Sequence, residues 1–320
     1  MMRVSRLTAA YALDWVAGDP EWMPHPVRMI GWGVHAAEQT VRLRGAGRNY
    51  DLAAGSLIAI SVPAIAYFSL RTLLEWANRR NRILGGFSEV FLTSSCLATR
   101  NLLDEARKVL FALDAGQIIQ SRVQLARIVG RDTVALDESE ICRALIETLA
   151  ESLCDGIVAP LFYLALGGAP LAMAYKAVNT MDSMVGHRDQ QYLYYGRAAA
   201  RLDDLANWIP ARISATLVCI VALWMSNTSG RRAASIWLRD GHLHASPNAG
   251  QSESAMAGAL AVRLGGENNY AGERVPTPHM GREFQRPDRA AAGRALQIVA
   301  MASLLGFAAA LFLQRRNGNG

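Results

Sequence analysis

The sequence is poor in charged residues and has almost no lysine. Only 19% of its 320 residues are Asp, Glu, Lys or Arg, against about 25% in an average soluble domain. Of its 33 basic residues only Lys108 and Lys176 are lysines, so arginine carries the net charge of +6. Disordered chains and basic nucleic-acid-binding tails need low apolar content or dense blocks of charge, and we therefore expect no nucleic-acid partner. Arginine suits contacts with phosphates, with carboxylates and with the edge of a bilayer.

Cysteine offers no framework for the fold. The four cysteines are Cys96, Cys142, Cys154 and Cys219. They are far apart and form no C-x-x-C pair, so we expect neither a disulfide network nor a zinc site and interpret them as small buried residues. Residues 1–17 contain a short apolar run that Asp14 interrupts, and no small-residue cleavage site follows. We expect this segment to be retained.

Long uncharged stretches are what the sequence has instead. Residues 52–70 and 295–313 carry no charged side chain, and a helix needs about 20 mostly apolar residues to cross a bilayer. Both stretches therefore predict membrane-spanning helices. A shorter apolar run, 213–225, follows Pro210, and proline is favoured in the first turn of a helix. Residues 156–175 are uncharged too, but prolines and glycines interrupt them, which predicts a broken helix.

The four predicted spans define the fold class. They lie near residues 52–74, 156–175, 209–226 and 295–313. The chain between them favours amphipathic helices, without repeats, linkers or alternating patterns long enough for a sheet. We predict an all-α, multi-pass integral membrane protein, one helical domain of residues 1–320, whose amphipathic helices and polar loops form the active face. A large soluble all-α protein with four buried helices is the alternative. Arginines flank both ends of the spans, so the positive-inside rule does not choose an orientation.

The scarce charges gather in four polar blocks between the spans. The blocks cover residues 14–32, 130–155, 176–212 and 244–273. In the second block Arg143, Glu147 and Glu151 are four residues apart and share one helix face. Two carboxylates at that spacing can bind Mg²⁺ or position a proton transfer, whereas the structural alternative is a salt-bridged helix face.

The ends of that helix are also predicted. Asp137 followed by Glu140 has the form of a capping box, in which Asp137 accepts from first-turn amides and Glu140 reaches back. We expect Asp155 just beyond the C-terminal end of the helix.

The other polar blocks contain further ionisable groups beside apolar stretches. Such groups near membrane segments tend to be paired and to face an interior cavity. The third block groups several carboxylates with several arginines and therefore favours a site for a phosphorylated, Mg²⁺-bound substrate. In the fourth block, rich in Gly, Ser and Asn, exposed amides could hold a phosphate, although the P-loop motif is absent and an ordinary loop is the alternative. In the first block, prolines on both sides of His25 predict a rigid polar corner.

Six segments, taken in order, resemble one known family. The segments are GDPEWMPHPVRMIG (18–31), VGRDT (129–133), ETLAESLCDGIVAPLFY (147–163), YKAVNTMDSMVGHRD (175–189), ARLDDLANWIPAR (200–212) and SPNAGQSESAMAGAL (246–260). They resemble the CobD/CbiB family of cobalamin biosynthesis, the adenosylcobinamide-phosphate synthases. Departures are few: Ser152 and Gln251 stand where the family usually has Asn and an aromatic residue, and His187 stands where Tyr is common.

The resemblance implies a multi-pass inner-membrane ligase with Mg²⁺ as its metal and ATP as co-substrate. Its members join (R)-1-amino-2-propanol, or its O-phosphate, through an amide bond to the f-side propionate of adenosylcobyric acid. The expected partners are this corrinoid, the amine, ATP and the lipid bilayer, with a second copy of the chain or other cobalamin-assembly enzymes as possible protein partners. Because ATP is supplied there, we expect the active site to face the cytoplasm.

We carry the roles over only to matching positions. The expected catalytic acids are Glu147, Glu151, Asp155, Asp182 and Asp204. The expected metal ligands are Glu147, Glu151, Asp155 and Asp203. The expected substrate and phosphate contacts are His25, Arg28, Arg131, Asp132, Lys176, Asn179, Arg188, Arg201, Ser246, Asn248 and Gly250.

Two other functions are compatible with the sequence. A Mg²⁺-dependent transferase acting on prenyl or lipid diphosphates could hold its substrate with Asp203 and Asp204, but no second acid follows at D-x-x-D spacing. A non-enzymatic corrinoid carrier is the second alternative, although transporters usually have more spans in two related halves.

Overall fold

The structure is a computed structural model that describes residues 4–19, 25–41, 47–186, 192–270 and 272–318. The helices are α1 (Val4–Ala17), α2 (Pro26–Val41), α3 (Arg48–Arg80), α4 (Arg82–Ser94), α5 (Thr99–Asp114), α6 (Ile118–Leu125), α7 (Glu138–Ser152), α8 (Ala159–Val185), α9 (Arg197–Ala206), α10 (Trp208–Trp224), α11 (Gly230–Asp240), α12 (Ala249–Leu260) and α13 (Arg289–Gly318). Strands β1 (Leu264–Tyr270) and β2 (Glu273–Met280) form one hairpin, and Leu153–Val158 is a π-helical segment.

Three helical stretches are long and apolar enough to cross a membrane. They are Arg48–Arg80, Glu138–Val185 and Arg289–Arg316, and the pair α9 and α10, bent by 48°, could form a fourth. In α3 only 22% of the most apolar window is buried, which leaves large side chains such as Phe68 exposed. A soluble protein would cover such a surface. The prediction of an all-α protein with membrane-spanning helices is therefore confirmed.

The interrupted span is broken where the sequence predicts. Gly168 has φ 68° and ψ −164°, outside the helical region, and Pro170 follows two residues later. A proline inside a helix removes a hydrogen bond and clashes with the preceding turn, so a break at this position relieves both effects.

The start of α7 also follows its sequence signal, whereas its end does not. Asp137 accepts a hydrogen bond from the Glu140 amide at 2.8 Å. The Glu140 carboxylate pairs with Arg143 and Arg286 instead of completing the capping box. The expectation that Asp155 lies beyond the helix end is wrong, because the chain continues without a stop as a π-helical segment from Leu153 to Val158 and then as α8.

The described chain divides into two compact units. Unit 1 comprises Met1–Ala98, Ala159–Asn207 and Phe307–Gly320, and unit 2 comprises Thr99–Val158 and Trp208–Gly306. Each unit draws on separated parts of the sequence. The sequence analysis predicted one helical domain of residues 1–320, and that organisation stays a prediction.

Unit 1 is built around its long helices. Side chains of α2, α3 and α8 form a core that includes Val34, Ile58 and Met181, and Tyr195 packs into it from the segment before α9. This packing holds the polar residues of α8 and α9 next to each other.

Unit 2 is built around α12. In α12 every residue from Ser252 to Leu260 is buried, and the helix packs against α7, α10 and α11. Small side chains permit this close approach: a Cβ at Gly258 would lie 2.6 Å from the Arg232 carbonyl oxygen. The centre of unit 2 is therefore a helix of mostly small residues.

The β-hairpin corrects the expectation of a chain without a sheet. Strands β1 and β2 pair antiparallel from Gly266 with Thr277 to Tyr270 with Glu273, and a bulge lies between Leu264 and Gly266. Gly265 has φ +77°, a conformation that favours glycine at such a bulge. The hairpin occupies part of the fourth polar block, where the sequence predicts only a loop.

Three of the four cysteines are buried, as predicted. Cys96, Cys142 and Cys154 are buried and Cys219 is partly buried, and all four are free thiols. They contribute to packing.

Candidate functional site

A buried ion-pair cluster joins three segments of unit 2. The Arg131 guanidinium donates to the Glu147 carboxylate, and both side chains are only 8% exposed. Arg143 donates to the other side of this carboxylate at 3.1 Å from Glu147 Oε1. The predicted pairing of Arg143 with Glu147 is thus observed, but the pair lies inside the protein instead of on a solvated helix face.

The β-hairpin completes this cluster. The Gly265 amide donates to Glu147 Oε1 at 2.8 Å. Asn268 Oδ1 accepts from Arg131 and from Arg143. Because both Glu147 oxygens already accept from donors, this residue fixes the two guanidinium groups relative to the hairpin. Its predicted role as a metal ligand would require these bonds to break.

A small chamber opens beside the ion-pair cluster. Its volume is about 140 Å³. Its titratable lining residues are Arg131, Glu147, Glu151, His244, Glu253 and Tyr270. They come from four separated parts of the sequence, so the fold of unit 2 assembles the predicted residues Arg131, Glu147 and Glu151 in one place.

Glu253 is a member of this chamber that the sequence did not single out. It is 6% exposed. Burial, with the neighbouring charges of Glu147 and Glu151, raises the pKa of the Glu253 carboxyl well above its usual range, although Arg131 and Arg143 oppose this. The only signal in the sequence is a single acid inside a helix of small uncharged residues.

The turn before α12 is tightly organised. His244 Nδ1 accepts from the Ser246 amide at 3.0 Å, and Ser246 Oγ accepts from the amides of Asn248 and Ala249. Burial lowers the pKa of His244, so the imidazole is neutral at physiological pH. A Cβ at Gly250 would lie 2.6 Å from the Gly241 carbonyl oxygen. Ser246 and Gly250 therefore shape this turn, and their substrate contacts stay predictions.

A wider cleft also lies in unit 2. Its volume is about 950 Å³, and its lining includes the acids Asp132, Asp137, Glu140 and Glu267, the arginines Arg143, Arg263, Arg274 and Arg286, and His279. Its size lies at the upper end for small-molecule sites. Asp132 accepts from the Gly272 amide at 2.9 Å, so this predicted contact residue also anchors the hairpin.

Unit 1 has a polar network of its own. Tyr175 donates to Asn207 Oδ1 at 2.9 Å, and Asn207 donates to Asp203 Oδ2 at 3.0 Å. Asn179 donates to Asp203 Oδ1 and accepts from the Lys176 ammonium, each at 3.5 Å. Three of the predicted residues, Lys176, Asn179 and Asp203, therefore lie in one connected set between α8 and α9.

Further predicted residues surround this network. Asp182 lies close enough to Asp203 for the two carboxylates to repel each other. Burial lowers the pKa of His25, and the charges of Arg28 and Lys176 add to this effect while Asp19 opposes it.

The remaining predicted positions of unit 1 lie apart from these contacts or outside the described residues. Arg201 and Asp204 line a separate cavity of about 480 Å³ with Arg48 and Arg197. Arg188 lies outside the described residues, so its role stays a prediction.

No metal centre is evident from protein ligands alone. Among the residues that the structure describes, no three His, Cys, Asp or Glu side chains lie close enough together to hold a metal ion. Mg²⁺ usually binds through one or two carboxylates together with waters and substrate phosphates. The magnesium assignments therefore stay predictions.

Comparison with known proteins gives a consistent result. The sequence model of the CobD/CbiB protein family matches residues 7–299. Cobalamin biosynthesis protein CobD of Pelobacter propionicus is 50% identical over 267 residues, covering 83% of this chain and 81% of that protein. CobD of Yersinia enterocolitica is 42% identical over 304 residues, 95% of each chain. CbiB of Salmonella typhi is 42% identical over 309 residues, covering 97% of this chain and 96% of that protein. No solved structure matches the chain. The chain therefore belongs to the CobD/CbiB family.

Proposed function

We propose that the chain acts in cobalamin biosynthesis as an ATP-dependent amide-forming ligase. Its substrates would be (R)-1-amino-2-propanol or its O-phosphate and the f-side propionate of adenosylcobyric acid. The observation that carries the proposal is the chamber of unit 2, where residues of the family-like segments 129–133, 147–163 and 246–260 meet. A shared location for separated segments is typical of an active site.

The reaction needs activation of the carboxylate. A carboxylate does not react with an amine at neutral pH, so we propose that one of its oxygens attacks the terminal phosphorus of ATP and ADP leaves. The amine nitrogen then attacks the carbonyl carbon, the carbon–oxygen bond to phosphate breaks, and phosphate leaves with that electron pair while nitrogen loses a proton. Both steps concentrate negative charge on phosphate oxygens, which cations must balance.

The chamber has groups suited to these demands. Arg131 is held by Glu147 and Asn268 in a fixed orientation, and a guanidinium so held loses little freedom when it binds an anion. Glu151 lines the same chamber and would orient the amine or a metal ion. The wider cleft of unit 2 has a volume that suits a large substrate, and four arginines and four acids line it.

The residues of unit 1 fit Mg²⁺ by their chemistry. The amide NH2 groups of Asn179 and Asn207 hold Asp203 in place, where Asp182 and Asp203 bring two carboxylates together. Hard oxygen donors of this kind are the ligands that Mg²⁺ prefers, and a cation would relieve the repulsion between the carboxylates. Bound there, Mg²⁺ would supply positive charge for the phosphate oxygens of ATP. Asp204 of unit 1 and Asp155 of unit 2 stay proposals, each within its own unit, for binding Mg²⁺ or orienting the amine.

The basic residues of unit 1 would bind phosphate or carboxylate groups. Lys176 is placed beside Asn179 at 3.5 Å, and Arg28 and Arg201 are the other cations proposed for this task. His25, whose pKa is lowered by burial, would donate or accept a hydrogen bond as a neutral group. We place the protein in the cell membrane with the site facing the cytoplasm.

The proposal is tested with purified protein in detergent. Adenosylcobyric acid, aminopropanol phosphate, ATP and Mg²⁺ are supplied, and the amide product is sought by mass spectrometry. Hydroxylamine in place of the amine should trap the activated carboxylate as a hydroxamate. Corrinoid binding without either product would favour a carrier, and release of diphosphate from a prenyl diphosphate would favour a transferase.

A further inference from the structure

Glu253 is a buried carboxylate that makes no hydrogen bond or ion pair with any side chain the structure describes. It is 6% exposed, in the middle of α12. The neighbouring guanidinium groups of Arg131 and Arg143 donate to Glu147 instead. A buried carboxylate anion without a partner is unfavourable for folding, and a cationic ligand would remove that cost.

The charges around Glu253 define the sign of that ligand. Three carboxylates, those of Glu147, Glu151 and Glu253, interact in this part of unit 2 with two guanidinium groups, Arg131 and Arg143. His244 is held neutral by burial. When Glu253 is ionised, the three carboxylates and two guanidinium groups carry one net negative charge, which a single positive charge would compensate.

The dimensions of the chamber restrict the ligand further. A volume of about 140 Å³ corresponds to roughly five water molecules at about 30 Å³ each. The chamber therefore admits a small aliphatic group and is too small to enclose a whole nucleotide or corrinoid. Polar groups of Thr148, Asn268 and Thr277 line it as well, so they can hydrogen-bond an uncharged oxygen atom next to the cation.

We propose that this chamber is the binding site for the primary ammonium group of the amino-alcohol substrate, with Glu253 as its charged partner and Glu151 beside it. This inference rests on the proposed function, because that function supplies a small amine. Glu253 thereby selects an amine over an alcohol of the same shape, since an uncharged hydroxyl group would leave the carboxylate uncompensated.

The experiment compares two ligands in two proteins. Aminopropanol phosphate and propane-1,2-diol 2-phosphate have the same shape, and they differ in that a hydroxyl group replaces the ammonium group. Calorimetry with the wild type should show at least about tenfold tighter binding of the amine, the effect of one charged hydrogen bond. In Glu253→Gln this preference should disappear while binding of the diol phosphate is unchanged. Glu105→Gln is the matched control, because Glu105 pairs with Lys108 and Arg127 outside the chamber.

Each outcome separates this inference from the proposed function. If Glu253→Gln weakens the binding of both ligands equally, Glu253 has a structural role. If the variant still binds the amine more tightly than the diol phosphate, Glu253 does not bind the amine. Loss of Mg²⁺ binding with normal amine binding would identify a metal site. Any of these results overturns the inference.

Kinetics supply the second distinction. Glu253→Gln should raise the KM for the amine about tenfold or more, whereas the KM for ATP should not rise. A wild type that binds the amine selectively but forms neither amide nor hydroxamate would refute the ligase proposal and leave the ammonium site supported.

Discussion

The guanidinium of Arg131 and the carboxylate of Glu147 form an ion pair in the interior of unit 2, with both side chains 8% exposed. The pair joins the segment before α7 to α7 itself, and Arg143 and the Gly265 amide converge on the same carboxylate. Breaking one partner of a buried pair leaves an uncompensated charge and is more damaging than the loss of a surface pair. This cluster therefore sets the geometry of the chamber, and the loss of one of its charges should be costly.

Removing the charge of Glu147 should destabilise unit 2. Glu147→Gln leaves Arg131 and Arg143 without their shared carboxylate, and we expect a loss of about 3–5 kcal/mol in the free energy of unfolding. Chemical denaturation in detergent measures this loss. The control is Glu138→Gln, whose pair with Arg289 is about 40% exposed and should contribute at most about 1 kcal/mol. Equal effects of the two substitutions would contradict a buried structural role for Glu147.

The bulge of the hairpin should not tolerate a side chain. In Gly265→Ala the new Cβ would lie 2.1 Å from the Pro278 carbonyl oxygen, at φ +77°. We expect a lower thermal midpoint and a loss of activity, because the Gly265 amide would move away from Glu147. In the control, Gly293→Ala, the Cβ meets no atom within 4 Å, and alanine favours a helix over glycine by up to about 1 kcal/mol. A thermal midpoint that is unchanged by Gly265→Ala would contradict the hairpin geometry.

Glu253 should lower stability at neutral pH. Its folded-state pKa is raised by burial above the unfolded-state value of about 4.3. The stability that it contributes is complete below that value and is lost as the pH rises through the folded-state pKa. Glutamine does not ionise, so the Glu253→Gln variant does not lose this stability as the pH rises. Its thermal midpoint should therefore exceed that of the wild type by more at pH 8 than at pH 5. A difference that shrinks with rising pH would show that the carboxyl is stabilised as an anion.

Asp203 should control the magnesium requirement. Asp203→Asn removes one of the two carboxylates that repel each other in unit 1 and retains a similar shape. We expect the Mg²⁺ concentration for half-maximal activity to rise about tenfold, the effect of one charged ligand worth about 1.4 kcal/mol. The control is Asp104→Asn, which alters the ion pairs of Asp104 with Arg100 and Arg107 on α5. It should leave the Mg²⁺ concentration for half-maximal activity unchanged. If activity depends on the Mg²⁺ concentration in the same way in the wild type and in Asp203→Asn, Asp203 does not bind the metal.

Local spacing explains which parts of the fold and site were predictable. Arg143 and Glu147 are four residues apart on a predicted helix, and the structure pairs them at 3.1 Å. Asp137 caps that helix as its sequence position indicates. The uncharged stretches likewise identified α3 and α13, because a bilayer demands length and apolarity that can be counted along the chain.

Contacts between distant residues explain what the sequence did not show. Glu253 gains its significance from Glu147 and Glu151, about 100 residues earlier, and within α12 no charged neighbour marks it. The β-hairpin escaped prediction because residues 264–280 are largely polar on both strands and do not alternate. The helix did not end before Asp155 because a π-helical segment carries the chain into α8, and residue spacing alone does not predict such a segment.

The transfer of an oxygen atom tests the central claim most directly. If the carboxylate of adenosylcobyric acid is labelled with ¹⁸O, activation by ATP must pass one labelled oxygen to phosphate when the amide forms. We predict one ¹⁸O in the released phosphate for each amide molecule formed by the purified protein with aminopropanol phosphate and Mg²⁺. Absence of the amide, or amide formation with unlabelled phosphate, would contradict the proposed reaction.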